Sequence, residues 1–211
     1  MIRKKFFISI NLLIILFATI ILTGCLKKEE KIMPQILTNK RAVLIIAHEG
    51  FQDLEYSRTR EALEKGGVEI TVSSSQKGPA KGKDGRRVEV DKVIKDLDVK
   101  DFDAIVFIGG PGAMEYVDSS VAHEIARKAV EYEKVLAAIC IAPEILARAG
   151  LLKGIHATVW ASLLDRSPIG VLEDGGAIYE DKPVVIDGKI VTGNGPGAAQ
   201  EFGEKIVELL K

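Results

Sequence analysis

The sequence contains few of the residues that build metal and disulfide sites. Only two cysteines and three histidines occur among its 211 residues. At most one disulfide can form, which excludes a small scaffold held together by several disulfides. No pair of histidine, cysteine or carboxylate side chains has the spacing of metal ligands, so we expect no metal site.

The chain also lacks an excess of charge and a dinucleotide-binding turn. Its formal net charge is -1 at pH 7, and no Gly-x-Gly-x-x-Gly segment occurs in it. We therefore expect neither a nucleic-acid partner nor a cofactor. What is present is typical of one ordinary globular domain with a buried core, since 47% of the residues are hydrophobic and 28% are charged.

The first 25 residues are typical of a secretion signal. A basic start precedes an almost wholly apolar run over residues 6–22, which closes on Leu22-Thr23-Gly24-Cys25. Those last four residues resemble the lipobox of prokaryotic lipoproteins, in which the cysteine is lipidated and becomes the new N-terminus. The alternative is an uncleaved single-pass anchor, because about twenty apolar residues span a bilayer.

Either form of attachment predicts the same location. Lipidated Cys25 or an N-terminal anchor would hold the protein at the extracytoplasmic face of the cell membrane. Residues 26–40 are then expected to form a charged tether, and residues 41–211 a single domain.

Apolar strands alternate with amphipathic helices throughout that domain. The strands are predicted at 42–47, 68–73, 86–90, 104–108, 135–139, 183–186 and 189–192, and the helices at 53–65, 120–133, 142–149 and 197–210. Repeated strand–helix units of this kind indicate an α/β fold. We expect a doubly wound, mostly parallel sheet with helices on both faces.

Cys140 lies where a strand runs directly into a helix. A side chain at such a corner projects from the sheet, and the helix N-terminus favours thiolate over thiol. The alternative is a buried cysteine that packs as a small apolar residue. Two other strand ends are unusual, because one carries His48 and the other carries Gly109-Gly110-Pro111-Gly112. The bare backbone of the glycine segment could bring N–H groups to an oxyanion.

Four motifs together resemble the ThiJ/PfpI family, which includes the parkinsonism-associated deglycase and the PfpI-type proteases. They are Phe51-x-Asp53-x-Glu55, Gly109-Gly110-Pro111-Gly112, Ala138-Ile-Cys140-x-x-Pro143 and Gly195-Pro196-Gly197. The resemblance spans residues 41–211. It implies a flavodoxin-like fold and a homodimer or larger assembly.

The resemblance also implies roles for individual residues. Cys140 would be the nucleophile, Glu55 the carboxyl beside it, and the Gly110 and Ile141 N–H groups the oxyanion hole. A thiolate and a carboxylate in contact repel each other, so the pair should share one proton. Gly109, Pro111 and Trp160 would line the pocket.

The departures from the family pattern concern histidine. PfpI-type proteases carry a histidine directly after the cysteine, where this chain has Ile141, and the deglycase branch supplies one where this chain has Trp160. A protease is therefore a minor option, because an amide leaving group needs a proton. His48 is the possible base. His123 is expected at the surface, and His156 on the wrong side of the sheet.

These observations predict an enzyme that uses the Cys140 thiolate on a small electrophile. That electrophile is a reactive aldehyde such as a glyoxal or its protein adduct, or, in hydrolase-like chemistry, a small thioester or nitrile-like group. The alternatives are a redox sensor or chaperone-type protein that meets a small oxidant, and a degenerate family member that only binds.

Overall fold

The structure is a computed structural model that describes residues 37–211. Its strands are β1 (Arg41–Ile45), β2 (Glu49–Phe51), β3 (Glu69–Ser74), β4 (Gly78–Gly82), β5 (Arg87–Val90), β6 (Lys92–Val93), β7 (Ala104–Phe107), β8 (Val135–Ile139), β9 (His156–Ala157), β10 (Ile178–Tyr179), β11 (Val184–Asp187) and β12 (Ile190–Gly193). Its α-helices are α1 (Asp53–Lys65), α2 (Met114–Val117), α3 (Ser120–Glu131), α4 (Pro143–Arg148), α5 (Ser167–Asp174) and α6 (Ala199–Leu209).

Seven strands form the central sheet, in the order β11-β12-β8-β7-β1-β3-β6. Every neighbouring pair is parallel except β11 with β12, which are antiparallel and joined by a tight turn at Gly188-Lys189. Numbered along the chain, the five central parallel strands run 2-1-3-4-5, which is the flavodoxin-like order. The predicted fold class is thereby confirmed.

Two cores cover the two faces of this sheet. Alternate residues of β1 point to opposite sides, so Val43 and Ile45 join one core while Ala42 and Leu44 join the other. The first core contains side chains of α3, α4 and α5, and the second those of α1 and α6. Helices therefore pack on both faces, as predicted.

Helix α1 places a glutamate on its buried face. Gln52 caps its start, because the Gln52 side chain accepts a hydrogen bond from the Leu54 N–H at 2.7 Å. The buried residues of the helix are Glu55, Tyr56, Thr59, Ala62 and Leu63. Their spacing is that of a core-facing stripe, so Glu55 points at the sheet and not at solvent.

A second sheet begins with β2, the strand that follows β1 in the chain. The alternation of strands and helices did not predict this sheet. It has the order β2-β4-β5, and of these only β5 was expected. Asp53 holds it to α1, because the Asp53 carboxylate accepts the Asp84 N–H at 2.9 Å and the Arg86 N–H at 2.7 Å.

The described chain begins inside the segment expected as a tether. Leu37 is buried and its N–H donates to the Gly66 carbonyl at 2.8 Å. Lys40 forms an ion pair with Asp103 at 3.3 Å. The expected signal peptide, lipidated Cys25 and most of the tether lie outside the described residues. Within residues 37–211, none of the helices has the length and apolar character needed to cross a membrane.

Candidate active site

The carboxyl ends of β1, β7, β8 and β12 meet at one edge of the sheet, and Cys140 lies directly after β8. Its backbone is left-handed, with φ of 64°, a conformation that costs about 1–2 kcal/mol for a residue with a Cβ. Two hydrogen bonds fix this corner: the Cys140 N–H donates to the Gly193 carbonyl at 2.8 Å, and the Trp160 N–H donates to the Cys140 carbonyl at 2.9 Å.

Gly109 lies between the thiol and the carboxyl. Its N–H donates to Glu55 Oε2 at 3.0 Å. A Cβ at this position would stand 2.5 Å from the Cys140 Cβ and 2.8 Å from Glu55 Oε2. Only glycine leaves room for the two side chains to meet across this strand end.

Glu55 is fully buried, with no solvent-exposed surface. Burial raises its pKa to about 7, against the opposing effects of hydrogen bonds from Cys140 and from the Gly109 N–H. Its second oxygen, Oε1, has no further hydrogen-bond partner with good geometry among residues 37–211. One oxygen is therefore positioned by Gly109, and the other is available to take a proton.

The pKa of the Cys140 thiol is also shifted from its ordinary value. Burial and the neighbouring Glu55 charge raise the pKa of Cys140 to about 12, while the N–H groups of Gly110 and Ile141 act to lower it. The N–H groups therefore favour the thiolate, but desolvation and charge repulsion outweigh them and the net effect is a raised pKa. At neutral pH these values correspond to a protonated thiol beside a carboxyl that is about half ionised.

The backbone of Gly110 is shaped by close packing. Its φ is 105°, and a Cβ would lie 2.4 Å from the Gln52 nitrogen and 2.6 Å from the Gly50 carbonyl oxygen. This conformation turns the Gly110 N–H toward the Cys140 sulfur, where the Ile141 N–H also points. The two N–H groups that were predicted to form an oxyanion hole therefore lie together at the Cys140 sulfur. Pro111, the next residue, is exposed at the rim of this turn.

His48 follows β1 but does not join the pair. Its N–H donates to Glu115 Oε1 at 3.2 Å, and its carbonyl accepts the Lys81 N–H at 2.8 Å. Its Nδ1 is buried without a hydrogen-bond partner in the described part of the chain. No hydrogen bond among residues 37–211 links His48 to Cys140 or Glu55, and its role as a base stays a prediction.

The other two histidines are occupied elsewhere. His156 Nδ1 contacts Glu180 Oε1 at 2.6 Å, at a small two-stranded sheet of β9 and β10. His123 is half-buried and not fully solvated as expected, because its Nε2 bonds to the Val117 carbonyl at 2.7 Å. Across residues 37–211, no group of three or more histidine, cysteine or carboxylate side chains could hold a metal ion.

A cleft of about 330 Å³ opens beside Trp160. Val159, Ala161, Ser162, Arg166, Tyr179 and Asp181 are among its lining residues, and Cys140 is not. The sequence did not point to this cleft, because its residues come from irregular segments with no periodic pattern. The predicted pocket residue Trp160 stands between the two features: its N–H holds Cys140, and its neighbours line the cleft.

Comparison with known proteins agrees with this geometry. The model of the DJ-1/PfpI family matches residues 40–209. The "Deglycase PfpI" of Pyrococcus furiosus is 34% identical over 172 residues, which cover 80% of this chain and 99% of that protein. The "Glutathione-independent glyoxalase DJR-1.2" of Caenorhabditis elegans is 31% identical, with 82% and 89% covered.

A solved structure shows the same architecture. The ThiJ/PfpI domain protein from Brachyspira murdochii superposes with a TM-score of 0.77 at 29% sequence identity. The match covers 82% of this chain and 98% of that one. The resemblance found in the sequence is confirmed at the level of family and fold.

Proposed function

Since the chain belongs to the DJ-1/PfpI family, we propose that it is an enzyme whose Cys140 thiol adds to the aldehyde of a small 2-oxoaldehyde, either free or as an adduct with an amine or thiol. The observation that carries the proposal is the pairing of this thiol with a buried carboxyl whose pKa is about 7. A base with that pKa is well matched to proton transfer near neutral pH.

In the first step the sulfur bonds to the aldehyde carbon while the thiol proton passes to Glu55. Glu55 Oε1 is the free oxygen for that proton, since Oε2 is held by the Gly109 N–H. The aldehyde oxygen gains the negative charge as the C–S bond forms. The N–H groups of Gly110 and Ile141 already point at the sulfur, so they are the donors for that oxygen.

The remaining steps need no external oxidant. A proton moves from the former aldehyde carbon to the adjacent carbonyl carbon, so the first carbon is oxidised to a thioester and the second is reduced to an alcohol. Water then attacks the thioester, which releases a 2-hydroxy acid and restores the Cys140 thiol. When the substrate is an adduct, the bond from Cys140 sulfur to the former aldehyde carbon forms as the bond from that carbon to the amine or thiol breaks. The leaving amine or thiol takes the Cys140 proton by way of Glu55, and the same hemithioacetal results.

Peptide hydrolysis is a weaker proposal for the same site. An amide nitrogen must be protonated as it leaves, and the residue after Cys140 is Ile141 where PfpI-type proteases have histidine. The redox alternative uses the thiol once per oxidising equivalent, so it differs from the enzyme in producing no turnover.

The test is lactate formation from methylglyoxal by the full-length protein. We expect multiple turnovers, no activity in Cys140→Ala, and a fall of about 10²–10⁴-fold in Glu55→Gln, because general-base help is worth that factor. His123→Gln serves as the matched control and should retain activity, since within residues 37–211 the hydrogen bond of the His123 side chain is to the Val117 carbonyl, away from Cys140.

The results separate the candidates. Turnover that persists in Cys140→Ala would overturn the proposal. Oxidation of Cys140 by one equivalent of peroxide, with no turnover of methylglyoxal, would support the redox role instead.

We also propose attachment to the extracytoplasmic membrane face through lipidated Cys25, on the strength of the signal-like residues 6–22 and the lipobox-like ending. Fractionation of cells in detergent and in carbonate tests this attachment. Wild-type protein should stay with the membrane, and Cys25→Ser should lose acyl labelling. Retention of Cys25→Ser in the membrane with no acyl label on either form would favour an uncleaved anchor.

We also propose that the protein forms a homo-oligomer. Light scattering of the purified protein gives the mass of the assembly.

A further inference from the structure

The cleft beside Trp160 is built onto the same backbone that holds Cys140. The Trp160 N–H bonds to the Cys140 carbonyl, and Val159 and Ala161 on either side of Trp160 line the cleft. Gly193 accepts the Cys140 N–H, and the next residue, Asn194, also lines the cleft. The wall of the cleft and the corner that carries Cys140 are therefore joined by direct backbone hydrogen bonds.

One wall of the cleft carries a cation without an acidic partner. Arg166 forms no ion pair with any carboxylate of residues 37–211. The adjacent Asp165 is already engaged, because its Oδ1 accepts both the N–H and the hydroxyl of Ser167 at 3.0 and 2.6 Å. A guanidinium whose N–H donors are free can bind a carboxylate through two parallel hydrogen bonds, in a bidentate geometry.

The same cleft also carries an acid. Asp181 lines it together with the half-buried Tyr179. Arg166, Tyr179 and Asp181 line the same cleft, so charges of opposite sign face one volume of about 330 Å³. A ligand with a single negative charge would meet attraction from Arg166 and repulsion from Asp181. A ligand with one charge of each sign satisfies both.

We propose that this cleft is a binding site for the α-carboxylate and α-ammonium of a free amino acid, with Arg166 on the carboxylate and Asp181 on the ammonium. The inference rests on the proposed function and deepens it. The zwitterionic head occupies the cleft, and an aldehyde adduct on the amino acid's side chain extends past Trp160 to Cys140. Adducts on free amino acids are then better substrates than adducts within a protein chain, whose α-groups are tied up in peptide bonds.

The turnover test uses three arginine derivatives, each equilibrated with methylglyoxal to form the guanidine adduct. They are L-arginine, Nα-acetyl-L-arginine, which lacks the ammonium, and L-argininamide, which lacks the carboxylate. Lactate release by the full-length protein should show kcat/KM at least tenfold higher for L-arginine than for either derivative. The difference should lie mainly in KM, because the cleft binds a part of the substrate that does not react.

Matched variants assign each charge. Arg166→Gln should remove the preference for a carboxylate while keeping that for an ammonium, and Asp181→Asn should do the reverse. Arg166→Lys should restore part of the carboxylate preference. Free methylglyoxal has no zwitterionic head, so its kcat/KM should be unchanged in all three variants, which also reports that they are folded.

A binding measurement separates this inference from the proposed function. Calorimetry with L-norvaline, a neutral amino acid with an unreactive side chain, should show binding to the full-length Cys140→Ala protein and at least a fivefold loss in Arg166→Gln. Binding of this kind without any turnover would overturn the proposed function but support the site. Equal kcat/KM for all three arginine derivatives, or norvaline binding that is absent or indifferent to Arg166, would overturn the site.

Discussion

At the scale of single residues, the site depends on two groups that compete for one negative charge. Burial raises the pKa of both, Glu55 to about 7 and Cys140 to about 12, and the Glu55 charge raises the pKa of Cys140 further. The pair therefore loses its protons in two widely separated steps. At neutral pH the thiol then keeps its proton, and in the proposed mechanism Glu55 accepts that proton when a substrate binds.

This arrangement predicts the pH profile of turnover. Glu55 must be ionised to act as a base, so kcat/KM on methylglyoxal should rise about tenfold per pH unit below 7 and level off above it. Steady-state rates between pH 5 and 9 measure the profile. Glu55→Gln has no ionisation at this position and should give a flat, low profile. An inflection that survives in the variant would assign it to another group, with His48 the first to examine.

The same carboxyl makes stability depend on pH. The pKa of Glu55 is about 7 in the folded protein and 4.5 in its ordinary state. Between these values the unfolded chain has lost a proton that the folded protein retains, so the free energy of unfolding falls as pH rises. The loss is about 3 kcal/mol, from roughly 1.4 kcal/mol per pKa unit.

Urea unfolding at pH 5 and pH 8 measures this effect. Glu55→Gln cannot ionise, so its free energy of unfolding should fall by about 2.5 kcal/mol less than that of the wild type over this interval, since part of the total loss lies below pH 5. Parallel losses in the two proteins would mean that Glu55 ionises as easily in the folded state as in the unfolded chain.

Part of this site could be predicted from the sequence. The apolar run ending in Cys140 marks a strand-to-helix corner, and the glycines of Gly109-Gly110-Pro111-Gly112 mark a close backbone approach. Glu55 came only from the family resemblance, since nothing local tells a buried glutamate from a solvated one. The raised pKa of Cys140 could not be predicted, because it depends on the density of packing around the sulfur.

At the scale of elements, the end of β7 determines whether the thiol and the carboxyl can meet. A Cβ on Gly109 would clash with the Cys140 Cβ at 2.5 Å and with the Ile139 carbonyl oxygen at 2.7 Å. These are a main-chain oxygen and a Cβ atom, which cannot move without distorting the backbone. The strand end therefore tolerates glycine only.

Gly109→Ala should lower the free energy of unfolding by about 1–3 kcal/mol through overpacking and abolish turnover. Gly170→Ala within α5 is the matched control, since a Cβ there has no atom of the described chain within 4 Å. It should raise stability by about 0.5–1 kcal/mol. Thermal unfolding and lactate assays on both variants decide the point, and an active, stable Gly109→Ala would contradict it.

The predicted elements differ from the observed ones where the pattern is short or polar. Strand β8 and helix α1 have the predicted bounds, because each has a clear apolar pattern and a defined end. Strands β2 and β4 were missed: β2 has three residues, and β4 contains two glycines and a proline. The two strands pair through backbone hydrogen bonds between distant segments, from the Lys81 N–H to the His48 carbonyl and from the Lys83 N–H to the Phe51 carbonyl, which no local pattern reveals.

At the scale of the whole molecule, the domain includes residues before β1. Leu37 is 7% exposed and its N–H bonds to the turn after α1. Lys40 and the Arg41 N–H both contact the Asp103 carboxylate. The charged composition of residues 26–40 predicted a tether, and the burial of Leu37 could not be predicted because one leucine makes no pattern.

A shortened chain that begins at Leu37 should therefore fold. Its free energy of unfolding should be higher than that of a chain that begins at Arg41. The expected difference is about 2 kcal/mol, which is typical of burying one leucine side chain. Chemical unfolding of the two chains gives the value. Leu37→Ala in the longer chain should reproduce most of the loss, and equal stabilities would show that residues 37–40 add nothing to the fold.

The left-handed backbone of Cys140 sets folding and chemistry against each other. Glycine adopts φ of 64° freely, so Cys140→Gly should be about 1 kcal/mol more stable than Cys140→Ala, which keeps the strained Cβ. A library of variants selected for heat resistance alone would then be enriched in chains with glycine in place of Cys140, the proposed nucleophile. Directed evolution of this chain has to score turnover and melting temperature in the same round.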